Sequence, residues 1–419
     1  MTQREVADVR AEKGRLSCPY HRLLKCWQTS LAAESIPSNN SKETLQVEQE
    51  SPKKSELLAA SCQREERVSS WSSRCGSGEI YVIGLALSLG LTAVIAITAS
   101  SLQNFSVVGR SPTQALGYPW QLRNPTFMSH LTAWLGYACH NIGAWLIIAA
   151  VRRKKPKVED KMRWFNWATL VLHLLGFALH WMQSQLWFDG LAADVPEVTA
   201  LGSVALMLMV VLLLENPRRG LILGVRMHFR ARFMMIVREY HGYLFTWALI
   251  YTFWYHPMVG TPGHLVGFFY MFMLLGQSVL LYHSAHLNKW WTLTLELLVL
   301  PHGVLVAVFQ GKQLTPMFAF GFGAMFLLTQ MYGLGLGRST RIVMHFLFIV
   351  VTVGTYCWCG RLPKIHEVFR IPVLDYAVIG LLYMMFVLCD SLFAGLTRFV
   401  RTAPTRKCGW GLLRSQLTL

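Results

Sequence analysis

From residue 80 onward the chain alternates between long apolar runs and short polar stretches. The runs fall at 80–102, 130–151, 164–187, 198–214, 240–256, 264–282, 291–309, 316–336, 342–359 and 376–397. A helix needs roughly 20 apolar residues to cross about 30 Å of hydrocarbon, and the runs match that length, with 240–256 at the short limit. The pattern predicts an all-α polytopic integral membrane protein, a bundle of about ten transmembrane helices over residues 79–398. Residues 1–78 are of another kind: stretches such as SIPSNNSKETLQVEQESPKKSE hold no sustained apolar period. They predict a disordered tail. Residues 399–419 form a second, basic tail.

Composition agrees, with 53% hydrophobic and 15% charged residues. The net charge of +17 changes the picture more. Such an excess can mark a nucleic-acid binder, but here it lies in short loops, with seven Lys and Arg in 152–163 and six Arg in 215–239. Positive loops stay on the cytosolic side. This predicts both termini in the cytosol, no nucleic acid, and the lipid bilayer as the surrounding partner. Within 215–239, Leu221, Ile222, Leu223, Val225, Phe229 and Phe233 alternate with Arg218, Arg219, Arg226, Arg230 and Arg232. That spacing predicts a basic amphipathic helix contacting anionic headgroups of the inner leaflet.

Candidate chemistry lies with ionisable side chains at membrane depth, where they are costly and commonly mark a site. Under the predicted topology they fall into three layers. Glu239, His241, His283, His286, Glu296, His345 and Asp390 lie near the cytosolic face, His140, His173 and His302 near the middle, and His130, His180, His256 and His264 toward the outer face. Asp390 needs a cationic partner or a proton, and His345 or Arg341 on the preceding span is placed to supply one. Nine cysteines are scattered without CxxC pairs, which points away from a zinc knot or disulfide scaffold and toward buried apolar packing or free tail thiols. Gly321, Gly323, Gly333, Gly335 and Gly337 thin one span for close helix approach.

Three functions fit these layers. A proton-coupled carrier of a small solute would use His140, His173, His302, Glu296 and Asp390. Pro301 weakens the helix beside His302, a common way to build a mid-membrane site. A membrane-embedded oxidoreductase would use iron, manganese or zinc held by Glu239, His241, His283, His286 and His345, with His283 and His286 one helical turn apart at a helix end. Haem is the variant of this class: His173 and His180 are only about 10 Å apart along one helix, short for two stacked haems, and a single haem, for example between His140 and His302, is singled out by no spacing. A scaffold or receptor-like protein would use the histidines for packing alone. No nucleophile elbow, P-loop, HExxH or dinucleotide fingerprint is present.

Overall fold

The computed structural model describes residues 78–109, 118–310 and 315–402, all within one unit, Glu66–Leu419. The tail over 1–77 and the basic tail beyond residue 402 lie outside the described residues. Among those described, helix dominates and no strand forms, only isolated bridges. The helices are α1 (78–98), α2 (Phe127–Lys154), α3 (Trp164–Trp187), α4 (Glu197–Arg219), α5 (Ala231–Tyr255), α6 (Pro262–Val279), α7 (Lys289–Leu297), α8 (Val299–Gln310), α9 (Thr315–Leu328), α10 (Arg338–Trp358) and α11 (Arg370–Thr402).

Every apolar run is helical over most of its length, and six segments are long and apolar enough to cross a membrane: Gly78–Asn104, Phe127–Lys154, Glu197–Arg219, Lys289–Phe309, Arg338–Trp358 and Leu362–Phe393. Three of the other four fall short for visible reasons. α9 has 14 residues, α3 carries two histidines with Asn166, Gln183, Ser184 and Gln185, and α5 opens with Arg232, Arg238, Glu239 and His241. The outward faces of α1 and α10 expose Val82, Ile83, Ile97, Ile342, Val343, Phe346 and Leu347. Contiguous apolar surface of this extent suits lipid better than water.

Local sequence explains the element ends. Thr126 and Ser129 cap α2 reciprocally, and Arg152, Arg153 and Lys154 sit in its last turn, where cations offset the helix dipole. Thr261 caps α6 with Pro262 at its first position, and Asn288 caps α7 through the N–H groups of Trp290 and Trp291.

Three boundaries differ from expectation. No separate surface helix forms in 215–239: α4 runs on to Arg219, a turn follows with Gly220 and Gly224 at φ of +79° and +80°, and α5 begins at Ala231. Asn216 fixes this turn because its amide accepts from the Met227 N–H at 3.0 Å and donates to the Met227 carbonyl at 2.8 Å. The run 291–309 breaks at Leu298, since Pro301 has no N–H to offer the Leu297 carbonyl four residues back. The run 316–336 leaves α-helix after Leu328 for a 3-10 turn at Gln330–Gly333, with Gly335 at φ +71°.

Two helix groups emerge. In the first, α2 packs on α3 and α5, and α6 packs on the same two, so the four enclose a common interior. Its core holds Ile250, Phe253, Trp254, Tyr255, Phe268 and Phe272. In the second, α9 packs against α8, α10 and α11, with Met325 and Ile379 in its core. α4 joins them by touching α5 and α11, and α6 does so through α8. The loops sort to opposite ends. At one end Glu159 pairs in backbone with the segment at Tyr282–Ser284, Arg152 meets Glu239, and Tyr81 donates to the Ala285 carbonyl. At the other, Leu122 N–H donates to Asp189 and Trp134 donates to Asp194.

Candidate functional site

The interior enclosed by α2, α3, α5 and α6 holds a line of hydrogen-bonded side chains. Trp254 Nε1 lies 3.2 Å from His140 Nδ1, His140 Nε2 lies 2.9 Å from His173 Nδ1, and His173 Nε2 lies 2.8 Å from Ser278 Oγ. Ser278 Oγ in turn donates to the Leu275 carbonyl at 2.7 Å. Phe253 and Gly176 also lie against the His140 ring, and among the described residues no charged side chain pairs with either imidazole. An unpaired charge in such a place is costly, and both imidazoles belong in the neutral form.

Neutrality fixes the direction of the line. An indole N–H only donates, so His140 Nδ1 must accept, and its proton sits on Nε2. That proton faces His173 Nδ1, which leaves the second ring's proton on Nε2, facing Ser278. Every bond thus points from Trp254 toward Leu275. To reverse it, a proton would have to sit on His140 Nδ1, opposite the Trp254 N–H, where two donors would meet. Trp254 therefore latches the polarity, and only its displacement lets the line run backward.

Glycines make the room. A Cβ on Gly176 would lie 2.5 Å from the His140 ring, and one on Gly136 would lie 2.1 Å from the Trp254 ring. Small residues of this kind let transmembrane helices approach closely.

Of the five residues expected along a proton path, only His140 and His173 touch. His302 sits on α8 against Gly267 and the ring of Tyr270, with no hydrogen-bond partner at Nδ1. Glu296 forms an ion pair with Arg219, with side-chain exposures of 6% and 1%, which places the pair out of solvent. Asp390 meets Arg230 and Arg232, not His345 or Arg341 as expected, because α5 starts early enough to bring Arg232 alongside α11. Among the five arginines expected at headgroups, Arg219 is thus committed to Glu296 and Arg218 to Glu215, Arg230 and Arg232 are exposed but paired with Asp390, and Arg226 is exposed.

The expected inner-layer ligands stand apart. α6 ends at Val279, so His283 and His286 are not on its end but beyond Tyr282, itself at φ +54°, where His283 caps the short 3-10 helix Ser284–Leu287 that contains His286. His283 Nδ1 accepts from the Ala285 N–H at 3.0 Å, and His286 Nδ1 faces the Gln277 carbonyl at 3.1 Å. Burial pushes the His286 imidazole down to about 4, with His241 nearby adding to the effect. The His241 and His286 rings lie 6.5 Å apart, Glu239 pairs with Arg152, and His345 bonds the Arg341 carbonyl of its own helix. No group of three or more His, Cys, Asp or Glu side chains suited to a metal gathers among the described residues. Cys139, Cys357, Cys359 and Cys389, expected as buried packing, are exposed thiols.

A second polar group lies toward the other end of the same four helices. Tyr118 Oη is 2.5 Å from His264 Nε2 and 2.9 Å from His256 Nδ1, and Thr261 Oγ1 is 2.6 Å from His264 Nδ1. Burial raises the Tyr118 phenol well above its ordinary value, so it keeps its proton. Nearby, burial also raises the Asp189 carboxyl despite the Leu122 N–H that it accepts. His180 is fully buried, its Nε2 donating to the His256 carbonyl at 2.8 Å while its ring lies 4.4 Å from that of Trp254.

Sequence reasoning missed Trp254, Ser278 and Tyr118. Each is an ordinary residue in an apolar run or loop, and its role exists only through contact with a histidine more than 100 positions away. Comparison with protein-family models, with curated proteins and with solved structures returns no match for this chain.

Proposed function

We propose that the chain crosses the membrane ten times with both termini in the cytosol, and that it carries a small solute together with protons passed between His140 and His173. The directed line from Trp254 through both imidazoles to Ser278 is the observation that carries this reading. Imidazole is the side chain suited to taking and giving a proton near neutral pH. A coupled carrier must also stop protons passing freely, and a Trp254 N–H that has to move before the line reverses supplies such a stop.

The orientation is supported by charge. The segments 152–163 and 215–239 meet at one end of the four-helix group, through Arg152 and Glu239, and they carry much of the basic excess. The exposed Arg226 then faces the inner-leaflet headgroups. A cysteine introduced at Lys155 should be silent to an impermeant thiol reagent added outside intact cells, and one at Asp194 should label. The reverse pattern would overturn the orientation.

Coupling is tested in vesicles containing the purified protein and a trapped pH-sensitive dye. Offered a panel of amino acids, organic acids, amines and sugars, the wild type should shift internal pH with at least one class. His173→Ala and His140→Ala should abolish that shift. A panel silent in the wild type, or a shift untouched by both substitutions, would sink the carrier reading.

A further inference from the structure

We infer that His264, Tyr118 and His256 form a second proton relay, the outer port of the path proposed above. The inference rests on the carrier reading for its purpose and on its own geometry for its existence. His264 and Ser278 lie at opposite ends of α6, fourteen residues and thus about 21 Å apart. The two lines therefore serve opposite ends of one four-helix interior.

The hydrogen-bond inventory distinguishes this group from ordinary packing. Each of its members can both donate and accept. In one arrangement Thr261 donates to His264 Nδ1, His264 Nε2–H donates to Tyr118, and Tyr118 donates to His256 Nδ1. In the other His256 Nδ1–H donates to Tyr118, Tyr118 donates to His264 Nε2, and His264 Nδ1–H donates to Thr261. Both satisfy the same three contacts, of 2.6, 2.5 and 2.9 Å. His180 has no such freedom at Nε2, because the His256 carbonyl that it meets can only accept.

Passing from the first arrangement to the second moves protons without leaving a charge. One proton enters at His264 Nδ1 from the Thr261 side. The Nε2 proton of His264 goes to Tyr118 as the phenol proton goes to His256 Nδ1, and the proton on His256 Nε2 is taken up by a water molecule on the inner side that passes it on. Each ring ends neutral with one N–H, and the phenol keeps its O–H. The titratable groups facing the relay are Tyr255 and Glu197 toward Tyr118, and His180 and His302 toward His256. No lysine or arginine is among these neighbours, so no fixed cation opposes the passing proton.

The test uses full-length protein with nitrogen-15 in its histidine rings, studied by solid-state NMR in bilayers, where the two neutral tautomers give separate signals. In the wild type His256 and His264 should each populate both tautomers in linked proportion, while His180 holds only the Nε2–H form. Tyr118→Phe retains the ring and removes the linking oxygen. It should abolish the exchange at both histidines, leave the His140 and His173 signals in place, and slow solute-driven proton entry from the outer side by about tenfold or more. Should that variant fail to fold, His264→Gln cuts the same link and must quench the exchange at His256. Single fixed tautomers at His256 and His264 in the wild type would overturn the relay, as would exchange that survives Tyr118→Phe. A wild type that moves no protons with any solute but still shows linked exchange would remove the carrier reading and keep the relay.

Discussion

Replacing Glu296 with alanine is expected to destabilise the protein by about 3–5 kcal/mol, the usual result of stripping one member from a buried ion pair. Arg219 is 1% exposed at its side chain, so its guanidinium could not reach water once its partner was gone. Glu215, the nearest further carboxylate on α4, is already bound to Arg218. Unfolding of the purified protein in mixed detergent micelles, followed by tryptophan fluorescence, measures the loss. The double variant Arg219→Met with Glu296→Leu removes both charges together and should recover most of the stability, because an apolar replacement of a buried pair is often neutral or better. Wild-type stability in Glu296→Ala alone would show that the pair is not desolvated.

The second large effect is expected at Gly176, where a methyl group would sit 2.5 Å from the His140 ring. That contact is far inside van der Waals distance, and both helices are packed on either side. Gly176→Ala should therefore cost about 1–3 kcal/mol of overpacking strain and push His140 off its 2.9 Å contact with His173. The functional loss should exceed what that modest strain suggests, because a relay interrupted by an ångström carries nothing. Gly202→Ala is the matched control, a helical glycine on α4 with open space around it. It should leave stability and proton-coupled uptake as they are. Equal uptake in Gly176→Ala and Gly202→Ala would mean that the His140–His173 contact is not on the proton's route.

Hydropathy made the helices legible because a bilayer demands long runs in which the backbone satisfies itself. Partnerships were another matter. His140 and His173 could be placed in one layer by counting residues from the span ends, yet nothing in the sequence says that α2 and α3 turn them toward each other. Asp390 went to Arg230 and Arg232 because α5 begins at Ala231, before its apolar run does. The hydrophobic pattern marks where a helix meets lipid, not where its hydrogen bonds start. His283 and His286 were misplaced for the converse reason. The apolar run continues to Tyr282 while α6 stops at Val279, where Leu280 and Tyr282 depart from helical geometry. Arg219 belonged to a basic stripe by spacing and to Glu296 by contact, 77 residues away.

The break at Leu298 has a mechanical meaning. A continuous helix resists bending because each degree of curvature strains hydrogen bonds on one side. At this point the Leu297 carbonyl has no N–H opposite it, since Pro301 lacks one, so bending there strains one bond fewer. On one side α7 is anchored through Glu296 to α4, and on the other α8 lies against α6 and α9. The joint between them is a compliant bearing. Rotation of α8 about it would carry the ring of His302 across Gly267 and Tyr270 while the anchor at Arg219 stayed fixed.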